Sequence, residues 1–122
     1  MSADNFQLKP NQLGNFGDGL SRPECVVCLA DGTVVTSHSG GGVSVINPDG
    51  RHRDILGQRD GMAPVATNGF ALTREGDFLL ADLHGDGGGA WRLTQSGELS
   101  PLLVEIDGTA LPPTNFVGFD HQ

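Results

Sequence analysis

Apolar and polar residues alternate in short runs that break at turn-forming residues, and the runs recur in a fixed order. The first set reads PECVVCL, TVVTSHS, VSVINP and a weaker HRDIL, with ADG, GGG and DG between them. The second reads NGFALT, FLLADLH, GAWRLT and LSPLLV, with REG, GDGGG and QSG between them, and a third begins at NFVGFD. Period-two runs bounded by glycine-containing turns predict antiparallel strands joined by hairpins. Four such strands returning every ~40–50 residues predict a β-propeller, whose blades bury their faces only against one another. A β-sandwich also gives short, evenly spaced strands, but the equal order of turns in the two sets favours the propeller. The expected fold is therefore all-β, with two four-stranded antiparallel sheets stacked as neighbouring blades and a ninth strand near Asn115. Residues 1–19 are expected to be irregular, 20–64 to form the first blade, 65–110 the second, and 111–122 to start a third.

In a propeller the first strand of each blade lies nearest the axis, so equivalent positions on successive inner strands face one central space. Glu24, Asn68 and Asn115 each stand just ahead of such a strand. Together they predict an arc of oxygen-bearing side chains at one mouth, a chemistry suited to Ca²⁺, Mg²⁺ or Mn²⁺ and, through the carboxylate, to Zn²⁺. The alternative is that these side chains only hydrogen-bond a local turn.

Composition narrows the function classes. Nineteen glycines and seven prolines are too many for a helical bundle, because glycine weakens and proline breaks helix interiors. A net charge of −8 argues against nucleic acid, which demands clustered Lys and Arg; the tight basic group RHR at 51 to 53 reads as a solvated strand. No apolar leader and no stretch approaching the ~20 apolar residues of a membrane span is visible, so a cytoplasmic location is the expectation. Cys25 and Cys28 form a C-x-x-C without a second pair to complete a zinc site. On a strand their side chains point to opposite faces, and both are expected to be buried or half-buried thiols.

From about Leu20 onward the chain resembles the regucalcin/gluconolactonase (senescence marker protein) family, on the segments SRPECVVCLADGTVVTSHSGGGVSVINPDG, NGFALTREGDFLLADL, GGGAWRLTQSGEL and DGTALPPTNFV. The resemblance implies a six-bladed propeller with one divalent metal in its tunnel and hydrolysis of sugar lactones. It implies that Glu24, in RPEC, is the first-blade metal ligand and that Asn115, in PPTNFV, lines the substrate pocket. Asn68 holds the second blade's equivalent position, where no metal ligand is usual, and an Arg that often precedes the third-blade Asn by two residues is Pro113 here. Against that family the chain covers about two and a half blades and ends in mid-blade at Gln122, before the later Asn and Asp ligands.

Lactone hydrolysis needs a Lewis acid, a delivered water and donors for the oxyanion. With Glu24 alone matched as a ligand, the expectation is a weak or inactive lactonase-like hydrolase, or else a non-catalytic interaction module. No catalytic residue is assigned. Uncovered blade faces further predict a homo-oligomer or a partner chain, unless residues 1 to 20, with Phe6, Leu8 and Leu13, fold back over one face. Other motifs read as structure. Asp82, His84 and Asp86 alternate as in a calcium loop, but the twelfth position is Leu93, so the segment is expected to be a Gly-rich hairpin. HSGGG at 38 to 42 occupies the equivalent turn of the first blade. His52 and His121 have no evident partner, and Trp91 and the six Phe are expected in the interblade core.

Overall fold

The computed structural model describes residues 5–85 and 87–120. Its described residues form an all-β structure of two four-stranded antiparallel sheets. The first sheet is a meander of β1 (Val26–Cys28), β2 (Val34–His38), β3 (Gly42–Ile46) and β4 (His52–Leu56). The second repeats that order with β5 (Thr67–Leu72), β6 (Phe78–Asp82), β7 (Ala90–Leu93) and β8 (Leu99–Leu103). Eight of the expected strands are therefore present, and among the described residues no strand closes one sheet onto the other.

Four hairpins explain why the two sheets are built alike. In the first, Leu29 N–H donates to Thr33 O at 2.8 Å and Gly32 N–H donates to Leu29 O at 3.0 Å. The same pair of bonds recurs over Asn47–Arg51, Thr73–Asp77 and Thr94–Glu98. Each turn ends in a glycine at positive φ, 88°, 85°, 91° and 89° for Gly32, Gly50, Gly76 and Gly97. This is a three-residue loop with a glycine bulge, whose twist matches that of the flanking strands. A side chain at the glycine would have to adopt the left-handed region, which only glycine enters without penalty.

The sheets pack face to face. Val35, Val43, Val45 and Ile55 of the first meet Phe70, Phe78, Leu80 and Leu93 of the second, with Val65 between them, and β2 lies against β5. Phe70 and Phe78 meet edge-on, ring centroids 6.3 Å apart. Each fully buried side chain of this kind contributes roughly 1.5–3 kcal/mol, far more than any exposed ion pair at about 0–1 kcal/mol. The inter-sheet core is what holds the two halves together.

Irregular chain lies on the outer side of the first sheet. Before β1, a Cβ on Gly17 would lie 3.0 Å from Ile46 Cδ1 and 3.1 Å from Leu20 Cδ1, while Ser21 and Ser39 hydroxyls meet at 2.6 Å. This places 17–21 on the outer side of the first sheet. Phe6, Leu8 and Leu13 do not take part, and all three are exposed. A 3-10 turn, Pro10–Gln12, precedes β1.

After β8 the structure departs from the expectation. A small hairpin of β9 (Glu105–Ile106) and β10 (Thr109–Ala110) forms, and 111–120 carry no strand. The ninth strand expected near Asn115 is instead an extended tail, held by Gly69 N–H donating to Asn115 O at 2.9 Å and Thr114 N–H donating to Asp82 O at 2.7 Å. A strand needs a ladder, and these isolated bonds do not make one. Phe70 and Phe78 are core as expected, but Phe6, Phe16, Phe116 and Phe119 are exposed. Cys25 is half-buried, whereas Cys28 is exposed, contrary to expectation, and both are free thiols.

Candidate functional site

Glu24 is positioned by a buried serine. Ser37 Oγ accepts from the backbone N–H of Glu24 and of Cys25, both at 3.0 Å, and lies 3.4 Å from Arg22 O, to which it donates. The segment between is tight, since Glu24 N–H also donates to Arg22 O at 3.0 Å and Arg22 sits at φ 53°, a region costly for a residue with a Cβ. The Glu24 carboxylate meets Arg22 Nε at 2.9 Å, with both side chains about half exposed. Such a pair is screened by water and contributes little to stability.

Asn68 and Asn115 are brought together by the tail. Asn68 Nδ2 donates to Asn115 Oδ1, and to Asn115 O at 3.2 Å. The residue before β1 also touches the middle of β5, for Cys25 Sγ lies 3.8 Å from Phe70 O. The Glu24 carboxylate, however, is engaged by Arg22 rather than by either amide, and Asn115 Oδ1 is taken by Asn68. Among the described residues no group of three His, Cys, Asp or Glu is arranged to hold a metal ion. A divalent cation such as Ca²⁺ takes six to eight oxygens, and Glu24, Asn68 and Asn115 offer one carboxylate and two side-chain amide oxygens toward that number.

Sequence reasoning overlooked the most heavily invested polar group. Asp82, at the end of β6, is 1% exposed. Its Oδ2 accepts from Arg59 Nη1 at 2.8 Å, and its Oδ1 accepts from Ala66 N–H at 2.9 Å and His84 N–H at 3.1 Å. Arg59, its side chain 6% exposed, donates from Nε to Ala63 O at 2.8 Å and from Nη2 to the same oxygen. Its Cζ lies 4.8 Å from the centroid of Trp91. The signal was in FLLAD: Phe78, Leu80 and Asp82 alternate onto one face, which puts a carboxylate where the core should be.

Arg59, Asp82 and Trp91 form the floor of a cleft of about 610 Å³. Its walls include Met62, Ala63, Pro101, Val104 and Ala110, with Glu105 and His84 at the polar side. Trp91 is thus half core and half cleft wall. The cleft and the Asn68–Asn115 pair share one end of the second sheet, because Thr114, next to Asn115, is bonded to the Asp82 carbonyl.

The remaining candidates resolve as follows. The Asp82–His84 stretch is part of the β6–β7 connection, in which Asp82 serves the ion pair and Leu93 the core; Asp86 and His121 lie outside the described residues. His52 does have a neighbour: its Nε2 lies 3.7 Å from Asp54 Oδ1, while His38 Nε2 lies 3.5 Å from Asp54 Oδ2. Ser44 donates to Asp54 at 2.7 Å and Gly40 N–H to His38 Nδ1 at 2.8 Å. The serine faces the carboxylate and not an imidazole, so no base is placed to activate it. No described helix is long and apolar enough to cross a membrane. No protein-family model matches the chain, and a search of the curated proteins finds no match.

Proposed function

We propose that the chain is a propeller-type binding module of the gluconolactonase-like kind, in which the amides of Asn68 and Asn115 engage the oxygen atoms of a sugar lactone or related ester. The observation that carries this reading is the contact of those two side chains, 47 residues apart in sequence. Both stand ahead of equivalent apolar runs. Two sheets that each contain the same pair of glycine-bulge hairpins support the repeat on which the reading rests. Glu24, the metal ligand implied by the resemblance, is held in place by Ser37 but paired with Arg22. With so few oxygen donors, any divalent ion binds weakly, and the chain by itself is a binder and not an efficient hydrolase. A cytoplasmic location belongs to the same reading.

The test is titration of the protein with glucono-δ-lactone, following the side-chain amide resonances of Asn68 and Asn115, with and without Ca²⁺. Both resonances should shift saturably, and Asn115→Ala should weaken binding by about three- to tenfold, the worth of one or two hydrogen bonds. Unperturbed amides at saturating lactone would refute the binding mode. Equal Ca²⁺ affinity of the wild type and Glu24→Gln would remove Glu24 as a ligand.

A second reading, an assembly module, is favoured by the exposure of Leu102, Leu103, Ile106, Phe116 and Phe119 near one another in sequence. Light scattering at micromolar concentration should then give a dimer or larger. A monomer across that range rules self-association out.

A further inference from the structure

We infer that the cleft over Arg59 and Trp91 is a second binding site, separate from the asparagine pair, and that its ligand is a neutral, largely apolar small molecule carrying a carbonyl acceptor, such as an aliphatic lactone, ester or ketone.

A guanidinium has five N–H donors. Arg59 uses one on Asp82 and two on Ala63 O, which leaves one on each terminal nitrogen in a side chain 6% exposed. The Trp91 indole N–H, also buried, has no acceptor among the described residues. The acceptors of the floor are covered: Asp82, 1% exposed, receives Arg59, Ala66 and His84 on three of its roughly four lone-pair sites. The cleft floor therefore has more N–H donors to offer than carboxylate lone pairs, so it favours a ligand that accepts hydrogen bonds.

Charge decides between a neutral and an anionic acceptor. Arg59 is neutralised by Asp82 at 2.8 Å, and Glu105 adds a negative charge at the wall. A carboxylate would meet repulsion with no unpaired cation among the described residues to offset it, whereas a neutral carbonyl oxygen takes the spare guanidinium edge without that cost. The body of the ligand follows from Met62, Pro101, Val104 and Ala110, which provide apolar surface and no hydroxyl. The buried pair itself fits a site better than a structural brace. Ion pairs out of water seldom add net stability, but they hold donors rigidly in a dry wall, where hydrogen bonds are strongest.

Trp91 is the only tryptophan of the chain, so its fluorescence reports the cleft directly. Titration with δ-decalactone should change the Trp91 emission saturably, with decanoate, the anionic counterpart, binding at least about fivefold more weakly, in line with the loss expected from an unfavourable charge. Ala110→Phe, at an exposed position of the wall, should abolish the response and leave the circular dichroism intact. Arg59→Lys, which keeps the charge and removes the planar fork, should weaken binding by about three- to tenfold. Asn115→Ala should leave δ-decalactone binding unchanged, which separates this site from the asparagine pair. No saturable response, an equal or stronger response to decanoate, or full binding by folded Ala110→Phe would each overturn the inference.

Discussion

Arg59 and Asp82 meet at 2.8 Å beneath the cleft, one from the connection between the sheets and the other from the end of β6. Their burial makes the pair asymmetric to mutation. Arg59→Met strands a carboxylate in a dry site and should lower stability by about 3–5 kcal/mol. Adding Asp82→Asn should recover a good part of that loss, because the amide oxygen still accepts from Ala66 and His84 while the charge is gone. Urea unfolding followed by Trp91 emission measures both, and a double variant no more stable than the single would contradict the electrostatic account.

Ser37 bonds two consecutive backbone donors ahead of β1. Ser37→Ala leaves the Glu24 and Cys25 N–H groups without that oxygen and is expected to cost about 1–3 kcal/mol. Faster amide exchange at 24 and 25 than at β3 should accompany it. A loss of stability with unchanged exchange at those two amides would place the role of Ser37 elsewhere.

Gly69 is where the tail approaches β5. A Cβ there would lie 2.4 Å from Phe116 Cδ2 and 2.9 Å from Asn115 O, closer than atoms pack. Since Phe116 is exposed, the tail and not the strand should yield, so Gly69→Ala is expected to cost only about 1–2 kcal/mol while separating Asn115 from Asn68. The side-chain amide shifts of the two asparagines check this directly; their persistence in Gly69→Ala would mean that the tail is held by Thr114 alone.

Asp31 closes the first hairpin, accepting from Thr33 N–H at 2.9 Å. Its pKa is lowered from 3.8, first by that backbone hydrogen bond and then by the Thr33 side chain. A carboxylate depressed in the folded state adds stability above its unfolded value and loses that contribution as pH falls through the folded one. The urea midpoints of wild type and Asp31→Ala should therefore converge as pH drops below 3.8, and the Asp31 carboxyl resonance should titrate below that value.

Local chemistry in the chain was enough to determine the strands and their order. ADG, PDG, REG and QSG each demand one turn with a left-handed glycine, and the runs between turns alternate with period two, so eight strands and the hairpins joining them can be read before any tertiary contact is considered. The exposure of Phe116 and Phe119 could not be read this way. Apolar character predicts burial only where a neighbouring face exists, and 111–120 rest on the second sheet through a few backbone bonds. The candidate sites divide along the same line. Glu24, Asn68 and Asn115 were legible as equivalent positions in a repeat, but that Asn68 meets Asn115 while Glu24 turns to Arg22 depends on side-chain directions, which spacing leaves open. The cleft was beyond sequence altogether except for the misplaced charge of FLLAD. Arg59 sits in a connection with no periodicity, 23 residues from Asp82, and only packing of the two sheets against each other excludes water between them and turns two separate charges into one buried pair.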